Sequence, residues 1–259
     1  SFAADALTTG IRNTALGLGA LGSDTAGNRS TAIGYAALNT QNFTTSTDVF
    51  NTAVGVNAGV SITTGKDNTL IGALAGDALT VGELNVAVGR SALSADDVGS
   101  RSTAVGYAAL QLQNYSTATD SNNTAVGYGA GGAVVTATNN TLIGAEAGDA
   151  LTTGSENVAV GTQALSNEDG HGQNTAVGMQ TLRDLNAGVA SDNTAVGHIA
   201  GRLLTTGIYN TIIGASAGDA LTDADNNVAV GRAALSSDQK GDGTVAIGRN
   251  AFVTQLFTG

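Results

Sequence analysis

Two histidines, 21 acidic residues and no cysteine make up the chemically capable part of this 259-residue chain. His171 lies in the turn Gly170-His171-Gly172, and His198 directly follows a glycine that recurs along the chain, so both read as surface side chains. The neighbouring acids Asp96 with Asp97, and Glu168 with Asp169, are the residue types from which two-carboxylate hydrolysis or a calcium site is built. Both pairs fall in turns, where acids are common, and the Gly-Gly-x-Gly-x-Asp repeat of calcium-binding solenoids is absent. None of the 37 glycines is followed by Lys-Ser or Lys-Thr, so none closes a phosphate loop. Without cysteine there is no thiolate nucleophile and no Cys-ligated metal. The residues therefore predict no enzyme, and assign no catalytic, cofactor or metal site.

The overall balance removes further classes. A net charge of -11 with only 10 Lys and Arg does not make a surface for nucleic acid or for an anionic membrane. No run of about 18 apolar residues spans a bilayer, so no membrane insertion is expected in this segment. Glycine-rich and only 4% aromatic, the chain can build only a thin core. It opens on Ser1-Phe2-Ala3-Ala4-Asp5 without an initiator Met and stops at Gly259, which predicts a piece of a longer fibrous protein.

What must position any functional residue is a repeat. Asn-Thr-Ala-Val-Gly stands at 51–55 and returns at 123–127, 174–178 and 193–197, with near-copies between. The motif glycines run from Gly17 to Gly248, mostly seventeen residues apart, with longer intervals only at 34–55, 106–127 and 178–197. Gly34 to Gly106 and Gly106 to Gly178 are both 72 residues, so four rungs form a larger unit. A fixed period of this length specifies a solenoid. The expected fold is all-β, a parallel β-solenoid or β-roll of about fourteen rungs of seventeen residues, forming a single domain over 1–259.

Within a rung the residue before the glycine is Val, Ile or Leu, and Thr or Val stands two places earlier. That period of two, rich in β-branched residues, predicts a short strand with this pair facing inward. The residue between them then faces outward. It includes Ala53, Leu70, Ala125, Leu142, Ala195 and Ile212, which become the candidates for an oligomer interface. Asn at the head of the motif predicts a buried amide ladder from rung to rung. Four places after the glycine, Leu or Phe alternates in pairs with Gly, as in Leu38, Gly59, Gly76 and Leu93. Where Gly stands, an apolar residue such as Ile62 or Leu79 follows three places on. One large side chain thus fills the far side of each coil.

The stretches Asn-Thr-Ala-Val-Gly-Tyr-Gly-Ala-Gly (123–131) and Thr-Val-Ala-Ile-Gly-Arg-Asn-Ala (244–251) resemble the head repeats of YadA-like trimeric autotransporter adhesins. They are similar also to glycine-rich repeats of phage tail fibres. The resemblance covers nearly the whole chain, although the rungs here are longer than is usual in the adhesins and the four-rung super-period is a departure. It implies a parallel β-roll, three chains around one fibre axis, and an extracellular place on a bacterial surface or a virion. The implied partners are the chain itself, as a homotrimer, and a host-surface glycan or protein receptor.

Receptor-binding candidates are then the aromatics that break the regularity. Phe43 and Tyr115 lie at matching places in the long connections 41–50 and 112–122, and Tyr35, Tyr107 and Tyr128 follow a motif glycine in a variable, outward-facing column. Two alternatives stand beside the fibre reading. Thr ranked along a flat sheet is what an ice-binding solenoid uses, although the inward assignment of the Thr column opposes it. A carbohydrate-active fibre enzyme would use the paired acids.

Overall fold

The computed structural model describes residues 2–254; residues 1 and 255–259 of the expected 1–259 domain lie outside the described residues. Among the described residues the structure is all-β with no helix, so no helix is long and apolar enough to cross a membrane. The chain falls into two compact units, Ser1–Gly129 and Ala130–Gly259. The first carries seven three-residue strands, Thr14–Leu16, Thr31–Ile33, Thr52–Val54, Thr69–Ile71, Val86–Val88, Thr103–Val105 and Thr124–Val126. Each pairs in parallel with the next, motif residue on motif residue, as where Thr52 meets Thr69, Ala53 meets Leu70 and Val54 meets Ile71. The second repeats this with Thr141–Ile143, Val158–Val160, Thr175–Val177, Thr194–Val196, Thr211–Ile213, Val228–Val230 and Val245–Ile247. The fold is the parallel β-solenoid of about fourteen rungs that the repeat predicts.

The strands are short because glycine ends them. Gly89 has φ +133, which L side chains rarely adopt, and a Cβ there would collide with the carbonyl of Gly106 on the next rung. Glycine is needed both for the bend and for the close stacking. Four places after the motif glycine the chain bends again through the left-handed region, with φ 54 at both Leu93 and Gly76.

The two faces of the strands are the reverse of the sequence expectation. The middle residue points into the coil. Ala53, Leu70, Ala125, Leu142, Ala195 and Ile212, expected at an oligomer interface, are fully buried in the coil's own core. The Val and Ile column points out, with Ile71 40% and Val126 36% exposed. The reason is space. The interior of a seventeen-residue coil already holds one large side chain from the far side, such as Leu21, Leu38, Ile62 or Leu79, all fully buried, and usually leaves room for only a methyl group opposite. Where the strand itself supplies a large residue, the far bend is glycine: a Cβ on Gly76 would lie 2.8 Å from Leu70 Cδ2, and one on Gly148 2.8 Å from Leu142 Cδ2. Close packing selects the buried face here.

The amide ladder forms as expected. The backbone N–H of Asn68 donates to Asn51 Oδ1 (2.9 Å), that of Asn85 to Asn68 Oδ1 (3.0 Å), and that of Ser102 to Asn85 Oδ1 (2.9 Å). In the second unit the Asn157, Asn174, Asn193, Asn210 and Asn227 N–H groups do the same to the preceding Asn. Each side-chain amide thereby satisfies buried backbone, which is why a polar residue recurs inside the coil.

Candidate functional site

Three features can meet a partner: the outer face of the strands, the tyrosine column, and the bends that carry acids. On the outer face Thr and Val/Ile columns stand side by side, because residues two apart on a strand share a face. Neither column contains a charged residue. The Thr column is thus on the accessible side, and the objection to an ice-binding face falls.

Tyr35, Tyr107 and Tyr128 are exposed, where the sequence places them, and Tyr209, outside that column, is exposed as well. Tyr107 and Tyr128, on successive rungs, stack with ring centroids 5.4 Å apart and planes 9° from parallel.

Phe43 and Tyr115, by contrast, are not exposed stacking platforms. They are buried at 9% and 4% exposure. These two long connections stack on the preceding rung. Gly27–Asn28 pairs with Thr47–Asp48, and Gly99–Ser100 with Thr119–Asp120, both in parallel. Arg29 reaches Asp48 at 2.9 Å and Arg101 reaches Asp120 at 3.0 Å beside these short strands. With the connection tied down, its aromatic ring turns inward.

Those rings lie beside a buried polar cluster that the sequence reading missed. Asp24 and Asp96 occupy the inward place seven residues after a motif glycine, and are fully buried. Oδ1 of each accepts the N–H three residues on, from Gly27 (3.0 Å) and Gly99 (2.9 Å). Oδ2 of each accepts from Gln Nε2 in the same column one rung later, Gln41 and Gln113, both at 2.7 Å. The Gln oxygens accept in turn from Asn51 and Asn123 (both 2.9 Å), which joins the cluster to the amide ladder. Burial pushes the Asp96 carboxyl above the usual carboxylate range, only partly offset by the Gln113 and Gly99 donors. Burial also pushes the Tyr115 phenol up, and the charge of Asp96 adds to this.

Seventy-two residues after Asp96 the same place is built differently. Glu168 is fully buried; its Oε1 accepts the His171 N–H (3.1 Å) and lies 3.2 Å from His171 Nδ1. Its Oε2 is buried without a hydrogen bond of ordinary geometry. Burial pushes the Glu168 carboxyl up, against the His171 N–H and ring and the nearby Ala187 N–H, which favour its charged form. The exposed Asp169 completes a group in which one atom each from Glu168, Asp169 and His171 lies within 4.8 Å of the others. The expected acid pair is therefore an acid–acid–imidazole cluster, with His171 as a member.

Compared with known proteins, the chain matches no family model, no curated protein and no solved structure.

Proposed function

We propose that the chain is a segment of an extracellular fibre, on a bacterial surface or a virion, that assembles as a homotrimer and serves attachment and spacing without chemistry. The observation that carries this reading is the outer strand face. In each unit it presents ranks of Thr and β-branched apolar residues with no charge among them, including Ile71, Val126, Ile143 and Ile213 at 36–40% exposure. A monomer in water rarely leaves so continuous an apolar surface open. Copies of one chain, each offering the same face around a cyclic axis, cover it most simply. Tyr35, Tyr107 and Tyr128 are the remaining candidates for contact with a host glycan or protein. The test is Ile71→Lys with Val126→Lys. The pair should dissociate the oligomer and leave the β-content of the coil unchanged; an unchanged oligomer would move the interface elsewhere.

A second reading draws on the same face. Its hydroxyl and methyl groups repeat at about 4.8 Å from rung to rung and about 6.6 Å along each strand, as a rigid array. Ordered water on such a surface is the ice-binding alternative, and thermal hysteresis measured on the purified chain decides it. Trimer contact and ice contact compete for one surface, so one protein solution cannot show both through this face.

A further inference from the structure

We propose that Glu168, Asp169 and His171 form a binding site for a divalent late transition metal ion, with zinc the best match. Four bends of the solenoid share this position, and three are built alike: Asp24 with Gly27, Asp96 with Gly99, and Asp238 with Gly241. In these the residue three after the acid is glycine, and at Gly27 and Gly99 a Cβ would collide with the aspartate carboxylate. The fourth bend departs in three respects. The acid is one methylene longer, the glycine is replaced by His171, and the place of Gln41 and Gln113 is taken by Leu185.

The consequences converge on a ligand. Leu185 has no amide, so the clamp that satisfies Oδ2 of Asp24 and Asp96 is gone, and Glu168 Oε2 is buried without a hydrogen bond of ordinary geometry. A buried carboxylate oxygen left in this state calls for an ion or a donor. The imidazole beside it is 28% exposed, and Asp169 is open to solvent, which gives an ion a path in and room for water. One donor atom each from Glu168, Asp169 and His171 lies within 4.8 Å of the others, and the 3.2 Å hydrogen bond between Glu168 Oε1 and His171 Nδ1 is the contact an ion replaces when it draws them to about 2.1 Å. One imidazole with two carboxylates suits zinc and its neighbours, whereas calcium and magnesium take oxygen ligands. Held by three residues of one bend, the ion braces that bend internally where the glutamine clamp from the next rung is missing.

Zinc titrated calorimetrically into the folded full chain should bind at one ion per chain, more tightly than calcium, and raise the melting temperature. His171→Gly installs the residue found at the other three bends, and should lower zinc affinity by about 100-fold or more while keeping the fold. Asp169→Asn, at an exposed place, should weaken binding if His171→Gly fails to fold. His198→Ala should change nothing. Cobalt in place of zinc should give the absorption of a four-coordinate nitrogen–oxygen site, lost in His171→Gly. The proposal is overturned if the wild-type chain takes up no zinc, if calcium binds more tightly, or if folded His171→Gly and Asp169→Asn bind zinc like the wild type. The cluster would then be a hydrogen-bonded bend alone.

Discussion

The inner and outer faces of the same three-residue strands differ in a direction opposite to ordinary hydrophobic ranking. From Ala32 onward the inner place is Ala, Leu or Ile and fully buried, while the larger Val and Ile beside it remain partly in water. Burying a Val is worth roughly 1.5–3 kcal/mol, yet most rungs forgo it. The coil's interior already holds a Leu or Ile from its far side, and a second branched side chain overpacks it except at Leu70, Leu142 and Ile212, where the bend opposite is glycine. Side-chain type decides that a strand forms; the room inside the coil decides which face is hidden.

Placing one charge on each face is the most severe test of that comparison. Ala104→Asp puts an unpaired carboxylate in the core and should prevent folding, read as loss of the β circular-dichroism signal. Val105→Asp, on the next residue, should keep the signal and lose the oligomer. The reverse ranking would restore the opposite face assignment. Truncation is milder: Leu142→Ala should lower stability by about 2–5 kcal/mol in denaturant unfolding, and Val126→Ala by no more than about 1 kcal/mol in the isolated coil. Equal losses would contradict the packing account. Within the ladder, Asn68→Ala removes the acceptor of the Asn85 N–H and the donor to Gly82 O (2.9 Å). It should cost about 1–3 kcal/mol by leaving buried backbone unmatched, and a neutral variant would make the ladder ornamental.

The smallest expected effect is that of pH. Burial raises the carboxyls of Asp77, Asp96, Asp149 and Asp219 above their ordinary value of 3.8. Between that value and the raised ones the folded chain holds more protons than the unfolded chain, so stability falls as pH rises through this window. Melting should therefore occur at higher temperature near the bottom of the window than at neutral pH. A lower melting temperature on mild acidification would mean these carboxyls are favoured in their charged form by partners.

The period, the strands and the amide ladder were legible in the sequence because each repeats in a fixed column. The buried face was not, because alternation yields two sets of residues and β-branching does not say which is inside. One signal did exist. Leu70, Leu142 and Ile212 replace Ala in the rungs that carry Gly76, Gly148 and Gly218, the pairing expected when a large inward residue needs a missing side chain opposite. Phe43 and Tyr115 read as loop aromatics, yet Gln41 and Gln113 lie in the column of Asp24 and Asp96, a sign that the connection re-enters the coil. His171 read as a residue of a Gly-rich turn; what distinguishes it is that it stands where Gly27, Gly99 and Gly241 stand.

Whether the outer Thr and Val/Ile face is covered by copies of the chain is tested most directly by its mass in solution. Sedimentation equilibrium should give three times the 25.3 kDa chain mass at micromolar concentration, whereas a single 25.3 kDa species that keeps its β-structure with the face open to water would contradict the account.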